Sequence, residues 1–167
     1  YQTDFSEYEA GKKPSDWSVL WTESNFEVRH HPSRLEHTVA DGDVPYILTW
    51  DHVGEVHGDV EVAAVVRAVM KQHRERKVKI HRLHGAINTE IASATLPFDV
   101  ELDTWYQVVF QRDGDTLNGK VWKYGEEEPA DWQVSVDDVY MQFGNVGVGH
   151  RSAGMINDFK YFSVGTY

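Results

Sequence analysis

The chain has 167 residues, no cysteine, and 27 acidic against 16 basic side chains, giving a formal net charge of −11 at pH 7. That length supports one domain with a core of its own, and the lack of cysteine excludes disulfides, thiolate-held zinc and cysteine nucleophiles. The acidic balance excludes a nucleic-acid partner, which would need a clustered basic face, and no apolar run is long enough to span a membrane as a helix.

Period-2 alternation is the dominant pattern: β-branched and aromatic residues recur at every second position in short runs bounded by Gly, Pro, Asp and Asn. In chain order it predicts strands at 18–22, 26–30, 46–50, 60–69, 78–83, 87–94, 105–112, 117–124, 144–149 and 156–164. The run from Val60 to Met70 also contains helix formers, so a helix is the rival there. Its β-branched residues Val60, Val62, Val65, Val66 and Val69, after the turn residues Gly58 and Asp59, favour a strand. Lys71, Arg74, Arg76, Lys77 and Lys79 form the one basic cluster and read as a solvated turn. Between Trp105 and Tyr124 the chain reads strand, turn, strand, with Arg112-Asp113-Gly114-Asp115 at the tip. Alternation assigns Tyr106, Val108 and Phe110 to the core face, and Trp105, Gln107, Val109 and Gln111 to the other. About ten to twelve strands in one chain predict an all-β protein, a two-sheet antiparallel β-sandwich of the jelly-roll type, with residues 1–167 forming one domain.

Nine histidines are many for this length. His30 and His31 point to opposite faces of a strand and cannot easily grip one ion. His81 and His84 also differ in face on a regular strand. A bulge or turn would bring His81, Arg82 and His84 together as a contact for an anionic glycan. Of the six tryptophans, Trp17, Trp50, Trp105, Trp122 and Trp132 read as core, whereas Trp21 has no clear place.

Several segments, in order, resemble the concanavalin A-like lectin/glucanase superfamily, in particular its laminin-G-like jelly-roll modules found in virion and secreted bacterial proteins. They are Asp4 to Tyr8 with Gly11 and Pro14 to Trp17, then Leu48 to Gly54, Asp59 to Val62, Thr104 to Tyr106, Leu117 to Trp122, Glu128 to Trp132, and Asn157 to Thr166. The resemblance implies the same two-sheet fold. It departs between Met70 and Lys77, where such modules usually carry one or two further strands that help form their ligand face. Retaining glucanases of the superfamily space their carboxylates Glu-x-Asp-x-x-Glu. Glu101 and Asp103 begin that pattern, but Tyr106 stands at the last position, so no enzyme activity is expected. Members often hold a structural calcium, and Asp4 and Asp158 would meet as its ligands if the terminal strands pair.

These readings lead to a non-catalytic module serving as a structural or adhesive part of a larger assembly, foremost a virion surface or tail protein. Its expected partners are other subunits, copies of itself or a cell-surface glycan, in a virion or outside a cell. The alternative is a carbohydrate-binding module or lectin, and a polysaccharide hydrolase or lyase is a third. A glycan binder needs a groove with an exposed aromatic ring and converging hydrogen-bonding groups.

Overall fold

The computed structural model describes residues 1–21, 26–38, 46–69, 76–84, 87–140, 143–150 and 157–166. These form fifteen strands and no helix: β1 Gln2–Thr3, β2 Trp17–Trp21, β3 Phe26–Arg29, β4 Arg34–His37, β5 Tyr46–Trp50, β6 Glu55–His57, β7 Val60–Ala68, β8 Lys77–His84, β9 Ile87–Thr95, β10 Trp105–Asp113, β11 Thr116–Lys123, β12 Val134–Asp137, β13 Phe143–Asn145, β14 Gly147–His150 and β15 Asn157–Thr166. All pairings are antiparallel. The large sheet runs β12-β11-β10-β7-β15-β4-β3, with β1 added to the far end of β15. Facing it are the smaller sheets β14-β5-β2 and β13-β6 and the hairpin β8-β9.

Of the run from Val60 to Met70, which could have been a helix, residues 60–68 form β7 between β10 and β15 at the centre of the large sheet, and Met70 lies outside the described residues. There Val60, Val62, Ala64 and Val66 face the opposing layer, opposite Arg112, Phe110, Val108 and Tyr106. The predicted hairpin closes as read. Asp113 pairs with Thr116, so Gly114 and Asp115 form a two-residue tip, and Gly114 has φ of 60°. The predicted strand at 144–149 is two shorter strands, β13 and β14. Four further strands escaped the pattern because they are only two to four residues long. In β4 the inward positions are Leu35 and His37, and a buried histidine does not read as core.

The main core lies between the layers. Trp17 and Trp50 stack at 5.5 Å, Phe162 meets both edge-on at 5.4 and 5.8 Å, and Phe5 lies 5.9 Å from Trp17. Rings of this size bury about 150–250 Å² each, so this group contributes a large share of the apolar burial. A second cluster, Ile80 with Leu117 and Val134, seats the β8-β9 hairpin on β11 and β12. Glycine at 119 makes room for it, since a Cβ there would lie 3.0 Å from Val134 Cγ1.

Candidate functional site

In β15 Phe159, Phe162 and Val164 are all buried in the core, yet 159 and 162 are three residues apart, a spacing that strict alternation forbids. A β-bulge reconciles them. Phe159 pairs with Val66 and Tyr161 with Val65, leaving Lys160 without a partner on β7. Lys160 and Tyr161 therefore line the same outer groove, of about 590 Å³. Val65 of β7 and Gln107 of β10 contribute from the neighbouring strands, and Asp4, Pro32, Ser33 and Tyr124 from the surrounding turns.

Each turn is held in place. His30 bonds through Nδ1 to Ser33 Oγ at 3.2 Å and through Nε2 to the Tyr8 carbonyl at 3.1 Å, tying the β3-β4 turn to the N-terminal segment. Asp4 Oδ1 accepts the Ser6 N–H at 3.0 Å, and hydrogen bonds from the Ser6 side chain and backbone hold its carboxyl below the usual range. Tyr124 donates its N–H to the Trp105 carbonyl at 2.9 Å, its ring is about half exposed, and the Lys160 ammonium sits 4.7 Å from the ring centroid. Tyr161 Oη donates to Gln2 Oε1 at 3.2 Å. The groove thus combines an exposed ring with a cation, a carboxylate, an amide and hydroxyls.

Beside the groove Asp158 is buried, with Arg67 Nη2 against its Oδ2 and Arg34 Nε at 3.3 Å. Arg34 also holds Glu36 at 2.7 Å, and Arg67 lies 4.8 Å over the Trp105 ring. Burial pushes the Asp158 carboxyl above its ordinary value, against the opposing pull of both arginines.

The terminal strands pair as expected, but the calcium reading of Asp4 and Asp158 does not fit. The register sets Gln2 opposite Ser163 and Thr3 opposite Phe162. Continued by one residue, it brings Asp4 level with Tyr161, three positions and about 10 Å from Asp158 at the usual rise of a strand. The Asp158 carboxylate is committed to two guanidiniums, which repel a further cation. Among the described residues no group of three or more His, Asp or Glu is placed to hold a metal.

His81, Arg82 and His84 do not converge either. The register shift in their hairpin falls on β9, where Ile91 is the extra residue, so β8 keeps its alternation. Arg82 shares the inward face of Ile80, reaches both Asp138 carboxylate oxygens at 3.3 Å and lies 4.4 Å under the Tyr140 ring. His81 is exposed, with Nδ1 at 3.1 Å from Asn88 Oδ1, at the edge of an apolar hollow of about 350 Å³ between the layers. His84 is exposed near the hairpin tip.

The segment resembling a carboxylate pair is structural. Glu101 pairs with Lys123 at 3.1 Å, Asp103 has φ of 56°, and Tyr106 Oη accepts the Glu101 N–H at 2.8 Å, fixing the loop into β10. Trp17, Trp50 and Trp122 are buried, whereas Trp105 and Trp132 are half-buried on the outer face. Trp132 lies 4.4 Å from Lys120 Nζ, over Ala63, Val109 and Trp122. The Trp21 side chain and residues 71–75 lie outside the described residues.

Sequence reasoning missed Gln107, Tyr124, Lys160 and Tyr161 as a group, because they come from two strands far apart in the chain, β10 and β15, and the turn after β11. The one local signal was the odd spacing of Phe159 and Phe162.

No protein-family model matches the chain, and no curated protein matches it in sequence. Solved structures do match. The carbohydrate-binding module CBM66 from Bacillus subtilis superposes with a TM-score of 0.64 at 9% identity, over 90% of this chain and 96% of that one. The exoplasmic/lumenal domain of VIP36 in its Ca²⁺/Man-bound form gives 0.63 at 8% identity, over 98% and 88%. A xylan β-1,4-xylosidase from Bacillus halodurans gives 0.63 at 14% identity over 98% of this chain but 38% of the enzyme. At these identities the likeness is one of fold. This chain has a concanavalin A-like jelly-roll fold.

Proposed function

We propose that the domain is a non-catalytic carbohydrate-binding module and that the groove between Tyr124 and Tyr161 receives the glycan. The observation that carries this reading is the half-exposed Tyr124 ring, set beside Lys160, Gln107 and Asp4 in one hollow. A pyranose presents an apolar face to such a ring and hydroxyls to the polar groups around it. The CBM66 and VIP36 folds support the reading, since one is named a carbohydrate-binding module and the other was solved with mannose. The test is a glycan-array screen with calcium present and then chelated, followed by titration of any hit into Tyr124→Ala. Binding in both conditions, weakened about tenfold or more by Tyr124→Ala, is expected. Binding that survives Tyr124→Ala unchanged removes the groove from consideration.

A second reading is favoured by large apolar side chains left exposed on the chain: Ile87, Val139, Tyr140 and Phe143 are all more than half exposed. It takes the domain as a structural or adhesive part of a virion surface or tail, or of another extracellular assembly, contacting further subunits or copies of itself. Sedimentation velocity over a hundredfold concentration range tests the self-contact. A monomer throughout leaves only other subunits as partners.

A further inference from the structure

We infer that the groove selects a glycan bearing a carboxylate, and that Lys160 is the group that recognises it; this rests on the groove being the glycan site. In a chain so rich in carboxylates, cations find anionic partners readily: Lys79 pairs with Glu90, Lys123 with Glu101, and Arg67 with Asp158. Lys160 has no carboxylate within ion-pair distance among the described residues, and its charge rests instead on the Tyr124 ring at 4.7 Å.

The backbone puts it there. Without the bulge, β15 could not bury both Phe159 and Phe162. With it, Lys160 is added to the outer face beside Tyr161 at the cost of one unpaired ladder position. The Lys160 side chain is partly buried and its ammonium lies against the Tyr124 ring, so a ligand carboxylate meets a cation already in position. Asp4 supplies the opposite sign on the same groove. Its carboxylate accepts sugar hydroxyls and repels a second acid group, so the ligand lies with its carboxylate towards Lys160. The class this describes is an oligosaccharide of uronic acid, or one ending in another carboxylate-bearing sugar.

The experiment is calorimetric titration of the intact domain with oligogalacturonate, oligoglucuronate, oligomannuronate and a sialylated trisaccharide, each beside its carboxyl-reduced neutral counterpart. Wild type, Lys160→Gln and Tyr124→Ala are compared at 50 and 500 mM NaCl, with circular dichroism confirming that the variants fold. The expected result is binding of one acidic sugar about tenfold or more tighter than its neutral form, weakened by salt. Lys160→Gln then loses that preference and the salt dependence while still binding the neutral form, and Tyr124→Ala loses both. A neutral sugar bound as tightly as the acidic one, or an unchanged preference in Lys160→Gln, overturns the inference and leaves the groove reading intact. An absence of binding to any sugar of the panel also overturns the inference alone, whereas binding untouched by Tyr124→Ala overturns both.

Discussion

Asp158 is a carboxylate taken out of water between two guanidiniums, and its environment makes a signed claim about pH. Burial raises its folded pKa above the ordinary 3.8, so the folded state binds the proton more readily than the unfolded chain in that window. The stability this contributes is fully present below 3.8 and is lost as pH rises through the folded value. Acidification should therefore raise the stability of wild type relative to Asp158→Asn, which has nothing to titrate. Urea unfolding across pH 3 to 7 checks it, and a difference that stays flat or shrinks on acidification contradicts it. Asp158→Ala should cost about 3 kcal/mol, the low end for breaking a buried pair, because Arg34 and Arg67 keep part of their contact with solvent. Tyr8 gives a second titration with the same sign. Burial, helped by Asp16 accepting its hydroxyl at 3.1 Å and opposed by the Trp17 indole, pushes the phenol up to about 12 from 10. The unfolded chain ionises first, so wild type should lose stability relative to Tyr8→Phe between pH 10 and 12, as thermal melts would show.

At the scale of elements, two glycines and one bulge set the geometry. A Cβ at Gly147 would land on the Leu48 carbonyl of β5, where β14 and β5 come closest, and neither backbone can yield without breaking the pairing. Gly147→Ala should therefore destabilise by about 1–3 kcal/mol, the usual cost of overpacking, as read by urea midpoint. Gly114 is different: a Cβ there meets nothing, so Gly114→Ala should cost only the left-handed conformation, about 1–2 kcal/mol, with the β10-β11 register kept. The strands themselves were legible where they were long and alternating, as in β7, β10 and β11. They were not legible in β1, β4, β6 and β12, where a few residues take strand geometry because a neighbour supplies the hydrogen bonds. The faces assigned to β10 hold, but its second face is not all solvent. Val109 on that face is buried beside Trp122 of β11 and under Trp132 of the following loop, a cover that alternation cannot report.

For the whole molecule, the surplus of 11 negative charges repels itself, and salt screens that repulsion. The melting temperature should rise as NaCl goes from 50 mM to 1 M, whereas binding of an acidic glycan through Lys160 should weaken over the same range. Calorimetry on one preparation reads both, and two trends of the same sign contradict one of the charge arguments. Composition and period-2 patterning by themselves determined the all-β class, the antiparallel pairing of neighbouring strands and the fate of the long strands, because those depend on which residues within one run can face a core. The candidate site depended on contacts between residues up to 159 positions apart in the chain. Only the tertiary structure could decide that Arg34 and Arg67 claim Asp158, that Asp138 claims Arg82, and that a bulge brings Lys160 to Tyr124. Each is settled by which strands lie side by side, and no local pattern in the sequence carries that information.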